Sequence, residues 1–149
     1  YGVVLALMRR HGVFLHASSN LKSIGNTEGN CDKDGFIGGS NIKPYYSGET
    51  RHTNYTMTAG LIHHITYGIC LFEGVGYGKS ATAWQLSESE GKGYLINDGL
   101  SDKGVTAELG ALASFGKLSI SASAITIAGK QWQGSIGIGI KLGKSKTGK

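Results

Sequence analysis

Proline occurs once in this chain of 149 residues, at Pro44. Strands free of proline are what a continuous hydrogen-bonded ladder needs, because proline cannot donate to it. Cysteine occurs twice, as Cys31 and Cys70. That is too few for a small domain stapled by several disulfides. No apolar run approaches the ~20 residues of a membrane-crossing helix. A barrel that crosses with short alternating strands gives a much weaker hydropathy signal, so this absence leaves a barrel open. Lysine and arginine exceed the acidic residues, for a net charge of +5, but they are scattered. No basic stripe interleaved with stacking aromatics is present, and nucleic acid is not an expected partner. Tyr1 opens directly into apolar residues without a charged-then-apolar leader, which reads as a processed or truncated chain.

Glycine is abundant, at 25 residues, well above the usual ~7%. There is no G-X-Y period, and the glycines sit inside apolar alternations. The stretch Tyr67 to Leu86 shows their role best. It is too long for an ordinary strand of roughly 3–10 residues. Gly68, Gly74, Gly76 and Gly78 would each cost about 1 kcal/mol in a helix. A long strand of a barrel wall fits both facts, with glycine where side chains have no room.

Period-two patterning gives seven strands. Val3 to Met8 and Val13 to about Asn20 flank a short turn at 9–12. His52 to His63 alternates Tyr55, Met57, Ala59 and Leu61 against Thr56, Thr58 and Gly60, and a turn at 64–66 leads into the long strand. Gly104 to Phe115 places Val105, Ala107, Leu109, Ala111 and Ala113 on one face. Gly116-Lys117 is a tight turn into Leu118, Ile120, Ala122 and Ala124, which oppose Ser119, Ser121 and Ser123. After Ala128-Gly129-Lys130, Trp132, Ile136, Ile138, Ile140 and Leu142 alternate with Gln133, Ser135, Gly137, Gly139 and Lys141. Residues 22–50 and 87–103 are long polar loops. The expected division is a barrel over 1–142 and a polar, basic tail over 143–149.

Short turns at one rim and long loops at the other suit an outer-membrane barrel with periplasmic short turns. The polar face is made of serine and glycine, which suits a narrow lumen better than a water-exposed surface rich in lysine and glutamate. Aromatics fall toward strand ends: Tyr55, Trp84 and Trp132 near the long loops, Tyr67, Phe72 and Phe115 near the short turns. Such girdles mark the membrane interface. The expected fold is therefore all-β, an antiparallel up-and-down transmembrane β-barrel of about eight strands. Seven are visible. An eighth is expected before Tyr1, because bacterial single-chain barrels have an even strand number. Cys31 and Cys70 then lie at opposite ends, and no disulfide between them is expected.

The runs Tyr-Thr-Met-Thr-Ala-Gly at 55–60 and Gly-Val-Gly-Tyr-Gly at 74–78 precede Ala83-Trp84. Lys-Gly-Val-Thr-Ala-Glu-Leu-Gly at 103–110, Phe-Gly-Lys at 115–117 and the closing Gly-Ile-Gly-Ile-Lys-Leu complete the pattern. Together they resemble the small outer-membrane β-barrel domains of Bacteroidota, which often follow soluble modules such as PEGA-type domains. The likeness spans Tyr1 to Leu142 apart from the two loops. The family usually ends on an aromatic or simply stops, whereas here a lysine-rich tail follows. The resemblance implies a fold and an address in the bacterial outer membrane, and no defined reaction.

Glu73, Glu108 and Lys79 are the candidates for an ion-pair network filling the lumen, with Arg9, Arg10 and Lys141 as further cations. A carboxylate inside a wall needs a partner. Asn30, Asp32 and Asp34 followed by Gly35 resemble the start of a calcium loop, but position twelve is Asn41 instead of glutamate. An Asp/Gly-rich turn accounts for the same residues. His16 and Ser18 share a face with the His-x-Ser spacing of outer-membrane lipid A deacylases; a base beside a hydroxyl is what an acyl-transfer nucleophile requires. His63 and His64 point to opposite faces and cannot chelate together. Neither Gly-Lys-Ser has the upstream glycine of a phosphate loop. The expected role is a non-conducting anchor, scaffold or accessory subunit without cofactor or catalytic residues. Its partners would be outer-membrane lipids and other outer-membrane or periplasmic proteins. A lipid-modifying acyl hydrolase and a soluble lipocalin-like carrier are the alternatives.

Overall fold

A computed structural model describes residues 1–8, 10–91 and 93–140. The chain is all-β: β1 (Gly2–Met8), β2 (His11–Ser19), β3 (Thr27–Cys31), β4 (Tyr46–Thr66), β5 (Ile69–Leu86), β6 (Tyr94–Asn97), β7 (Asp102–Phe115), β8 (Leu118–Ile127) and β9 (Gln131–Ile140). Single 3-10 turns at Glu88–Glu90 and Asp98–Leu100 flank β6. Among the described residues no helix is long and apolar enough to cross a membrane. The expected tail over 143–149, and Arg9, Leu142 and Lys141, lie outside the described residues.

The strands β1-β2-β4-β5-β7-β8-β9 form one antiparallel path in which each strand pairs with the next. The sheet is curled into a half-barrel. It does not close on itself among the described residues: β1 and β9 are its two edges. Two expectations are revised. Backbone pairing carries β4 through Thr66, so the turn falls at Tyr67-Gly68 and the long strand starts at Ile69. Gly68 takes φ 77°, a left-handed conformation that a side chain resists. The polar loops are also partly ordered. β3 pairs in parallel with β6, which pairs antiparallel with the upper end of β5 at Ala83 to Gln85. Neither short strand shows alternation, since Thr-Glu-Gly-Asn-Cys has no apolar face to bury, so periodicity could not have found it.

These two strands continue the same sheet beyond the end of β7 and form a cap at its long-loop end. Cys31, Leu86 and Leu95 form its small core, and Tyr46 and Trp84, edge to face with each other at 5.3 Å, pack against it. Cys31 is buried, and burial pushes its thiol up. Cys70 is buried in the other core at the opposite end of β5, with Phe14, Ile62 and Phe72. The two cysteines are not joined by a disulfide. Glu49 accepts from the Tyr94 hydroxyl at 2.9 Å and from Arg51 Nε at 3.1 Å. These donors, Tyr94 first, hold its carboxyl below the usual range. Arg51 in turn lies over the Tyr94 ring, 4.5 Å from its centroid.

Glycine sets how closely β4 and β5 approach. A methyl at Gly76 would strike the Met57 carbonyl oxygen, and one at Gly60 would strike the Glu73 carbonyl oxygen. Gly134, by contrast, has open space around its missing side chain. Gly76→Ala should lower stability by about 1–3 kcal/mol or prevent folding, as overpacking does, whereas Gly134→Ala should leave the denaturation midpoint nearly unchanged. Equal effects at both positions would show that close strand contact is not what the glycines supply.

Candidate functional site: the polar concave face

The two faces of the sheet differ sharply. The convex face carries Val3, Leu5, Leu7, Val13, Leu15, Met57, Leu61, Leu71, Val75, Val105, Leu118 and Ile120, all exposed. Ile136, Ile138 and Leu109, which would meet in the interior of a soluble barrel, are 86%, 81% and 63% exposed. The concave face holds the buried polar groups His16, Thr56, Thr58, Thr106, Glu108 and Ser119 above the Phe14–Phe72 core. This is the inverse of a soluble barrel. Strand parity produces it: even residues of β2 and β4 point in, while their odd, apolar neighbours point out.

At the centre of the concave face His16 Nδ1 lies 2.7 Å from Glu108 Oε1, and the Thr58 hydroxyl donates to Glu108 Oε2. His16 is 4% and Glu108 3% exposed. β2 supplies the imidazole, β4 the hydroxyl and β7 the carboxylate, with β5 lying between β4 and β7. The contact therefore braces the curl from one side to the other. The carboxylate fixes the imidazole's orientation, with Nδ1–H as the donor. Ser18 Oγ is 2.7 Å from Thr56 Oγ1, and Ser123 and Ser135 join at 3.0 Å. Thr106 Oγ1 and Thr126 Oγ1 are buried without a partner. A cavity of about 310 Å3 opens beside His16 and Ser18, between the β1–β2 and β8–β9 sides of the curl.

Of the ion-pair candidates, Glu108 lies inside. Glu73 does not: it shares the convex face with Leu71, Val75 and Tyr77, and His63 Nε2 is 3.8 Å from its carboxylate. Lys79 has the same parity as Glu73 but stands six residues along the strand, about 20 Å away at ~3.3 Å per residue. The two cannot pair. Leu71, Glu73 and Val75 share one parity of β5, so Glu73 points outward with its apolar neighbours. Glu108 instead pairs with His16, which was read as one half of a nucleophile motif. The hydroxyl expected for that motif is engaged elsewhere, on Thr56.

The aromatics divide. Tyr55, Trp132, Tyr67 and Phe115 are exposed on the outside. Phe72 is 3% exposed and stacks edge to face on Phe14 inside the curl at 5.0 Å. Trp84 is half-buried under the cap against Tyr46. Phe72 lies off the outer girdle because even residues of β5 point inward where it pairs with β7, and Trp84 because it stands beyond that pairing, where odd Ala81 and Ala83 are buried as well. The calcium candidates diverge. Asn30 Nδ2 donates to Asp98 at 3.0 Å, while Asp32 Oδ1 accepts from the amides of Asp34 and Phe36, each at 2.9 Å. The Phe36 amide, foremost, keeps the Asp32 carboxyl below its usual range. Among the described residues no three His, Cys, Asp or Glu side chains gather in a way that could hold a metal.

These features define the class: an all-β protein built on a curled antiparallel sheet, apolar outside and polar within. No family model, curated protein or solved structure matches the chain.

Proposed function

We propose that the chain is most of an eight-stranded β-barrel integral to a bacterial outer membrane, with its eighth strand preceding Tyr1. It serves as an anchor, scaffold or accessory subunit and does not conduct. The resemblance to the small outer-membrane barrel domains of Bacteroidota belongs to the same proposal. The observation that carries it is the convex face, which exposes apolar side chains along all seven strands of the path while burying polar ones within. In water so large an apolar surface marks a site of contact or a liability for aggregation; in lipid it is the required outer wall. The interior is filled by Phe14, Phe72 and the His16–Glu108 brace, which supports a plugged barrel. The cap built from β3 and β6 lies at the long-loop rim, where outer-membrane or periplasmic partners can meet it or the opposite turns.

The test is extraction. The protein should stay with membranes in alkaline carbonate and leave them only with detergent; release without detergent overturns the reading. Glu73, with His63 near it, is a charged residue set among the apolar Leu71, Val75 and Leu109 of the outer wall. Glu73→Leu should therefore raise stability in detergent or lipid, by up to about 1–2 kcal/mol, less than the range for arginine or lysine at the midplane. A loss would mean that Glu73 meets something other than lipid.

The second reading, a lipid-modifying acyl hydrolase, draws on one observation: His16, oriented by Glu108, and Ser18 line the same cavity. Ester hydrolysis on outer-membrane lipid that disappears in Ser18→Ala would favour it. Unchanged lipid in that variant removes it.

A further inference from the structure

Two imidazoles meet on the outer face at the short-turn end of the sheet, and neither takes part in the interior brace. His11 is the first residue of β2 and stands opposite His63 of β4 in the register. The neighbouring pair is joined through the backbone, the His64 amide donating to the Arg10 carbonyl at 3.1 Å. Bonded and non-bonded pairs alternate along an antiparallel ladder, so 11 and 63 form a non-hydrogen-bonded pair, with Cα atoms about 4.5 Å apart and side chains at their closest. Their Nδ1 atoms lie 3.0 Å apart, and the rings meet edge to face with 5.3 Å between centroids.

Two ring nitrogens this close share a hydrogen bond when one carries the proton and the other a lone pair. Glu73 decides which. Its carboxylate lies 3.8 Å from His63 Nε2 and favours the proton on that nitrogen. His63 Nδ1 is then the acceptor, and His11 Nδ1–H the donor. Exchanging that single proton for a cation leaves two lone pairs free to converge on one point. A carboxylate held against the far nitrogen is the usual outer support of a metal-binding histidine. His11 is exposed, and the side chains of His63 and Glu73 keep 33% and 64% of their accessibility, so water reaches the pair and can complete a coordination sphere. His64 has the opposite parity and points to the other face.

We propose that His11 and His63 form a two-imidazole site for a divalent transition-metal ion, Cu2+ foremost, which they hold through their Nδ1 atoms with water in the other positions. With each nitrogen about 2.0 Å from a shared ion and the pair 3.0 Å apart, the N–ion–N angle is about 97°. That is a cis angle of tetragonal coordination, the preference of Cu2+ and Ni2+. A tetrahedral ion such as Zn2+ needs the nitrogens about 3.3 Å apart. The general affinity order of first-row ions also places Cu2+ at the top. The two rings are 52 residues apart in the chain, so the ion ties β2 to β4 and finds its paired ligands only in the folded protein. This chemistry does not depend on whether the rest of the outer face meets lipid.

The experiment titrates the purified full chain in detergent with Cu2+ alone, by calorimetry and by electron paramagnetic resonance. One ion should bind per chain, its spectrum should show two nitrogen ligands, and the melting midpoint should rise with Cu2+, because the ion binds the folded state. His11→Ala and His63→Ala should each weaken binding at least about tenfold and remove the melting shift. His64→Ala and His52→Ala should retain both. Glu73→Gln should weaken binding about tenfold without lowering the melting midpoint of the metal-free protein; unchanged affinity overturns the positioning role given to Glu73. Should either alanine variant fold poorly, His11→Gln and His63→Gln carry the same test. Zn2+ should bind more weakly than Cu2+ and compete for the same histidines. No saturable binding, affinity unchanged in the His11 or His63 variants, or loss in His64→Ala overturns the proposal. So does a Cu2+-dependent dimer, which would show imidazoles from two chains on one ion.

Discussion

Ile136→Arg should take the protein out of the membrane-inserted population. Ile136 is the middle of β9, 86% exposed, with Gly134 and Ile138 next to it on its own face. If that face meets lipid, an arginine near the midplane costs about 2–4 kcal/mol, falling to about 0–1 near the interfaces. A domain stable by about 5–15 kcal/mol loses a large share of its margin by such a change. The measurement is the fraction of chain that assembles into the membrane in heat-resistant form, compared with Ser121→Asn on the inner face. If the convex face met water instead, Ile136→Arg would improve solubility and leave the fold intact. The two readings thus predict opposite signs for one substitution, which makes this the most decisive single variant. Leu109→Arg is a poorer choice: Glu73 stands directly opposite Leu109 in the register and would partner the new charge.

His16→Leu should destabilise strongly, by about 3–5 kcal/mol, because it leaves the Glu108 carboxylate buried with only the neutral hydroxyls of Thr58 and Ser123 beside it. Glu108→Leu should cost less, about 1–3 kcal/mol, since an imidazole left alone can stay neutral. The double replacement by leucine should recover most of the loss, because the penalty comes from an uncompensated charge and not from the missing pair. Denaturant or thermal midpoints of the three variants, arranged as a double-mutant cycle, give the coupling. Additive losses would show that the contact does not brace the curl. Because β2 and β7 are not neighbours, the His16→Leu variant should also loosen protection of backbone amides on both strands together.

Most of the fold was legible because period-two alternation survives wherever one face of a strand meets a different medium from the other. Each strand of the seven-strand path was readable in the sequence, with boundaries shifted by as many as six residues at the start of β4, which begins at Tyr46 inside the expected loop. The Gly116-Lys117 turn fell where the sequence put it, because a glycine at φ 64° is what that tight reversal requires. β3 and β6 were not legible: they are held by pairing with each other and with the end of β5, and pairing partners far apart in the chain leave no local trace. The concave site was half legible. Ser18, His16, Thr56 and Thr58 stood out as polar residues of one parity. That Glu108 would meet His16 depends on how tightly the sheet curls, which brings strands separated by two others within hydrogen-bond distance.

By itself the sequence determined which residues share a face, because a strand's side chains alternate whatever surrounds it. Alternation alone could not say which face was the outer one, since a soluble barrel and a membrane barrel carry the same alternation with the sides exchanged; the small serine and glycine residues of the polar face only favoured an apolar outside. Only the tertiary structure decided that, by curling the sheet with its isoleucines and leucines on the convex side. It also turned Phe72 inward and Glu73 outward. Curvature and register are properties of many strands acting at once, and no single stretch of the chain encodes them.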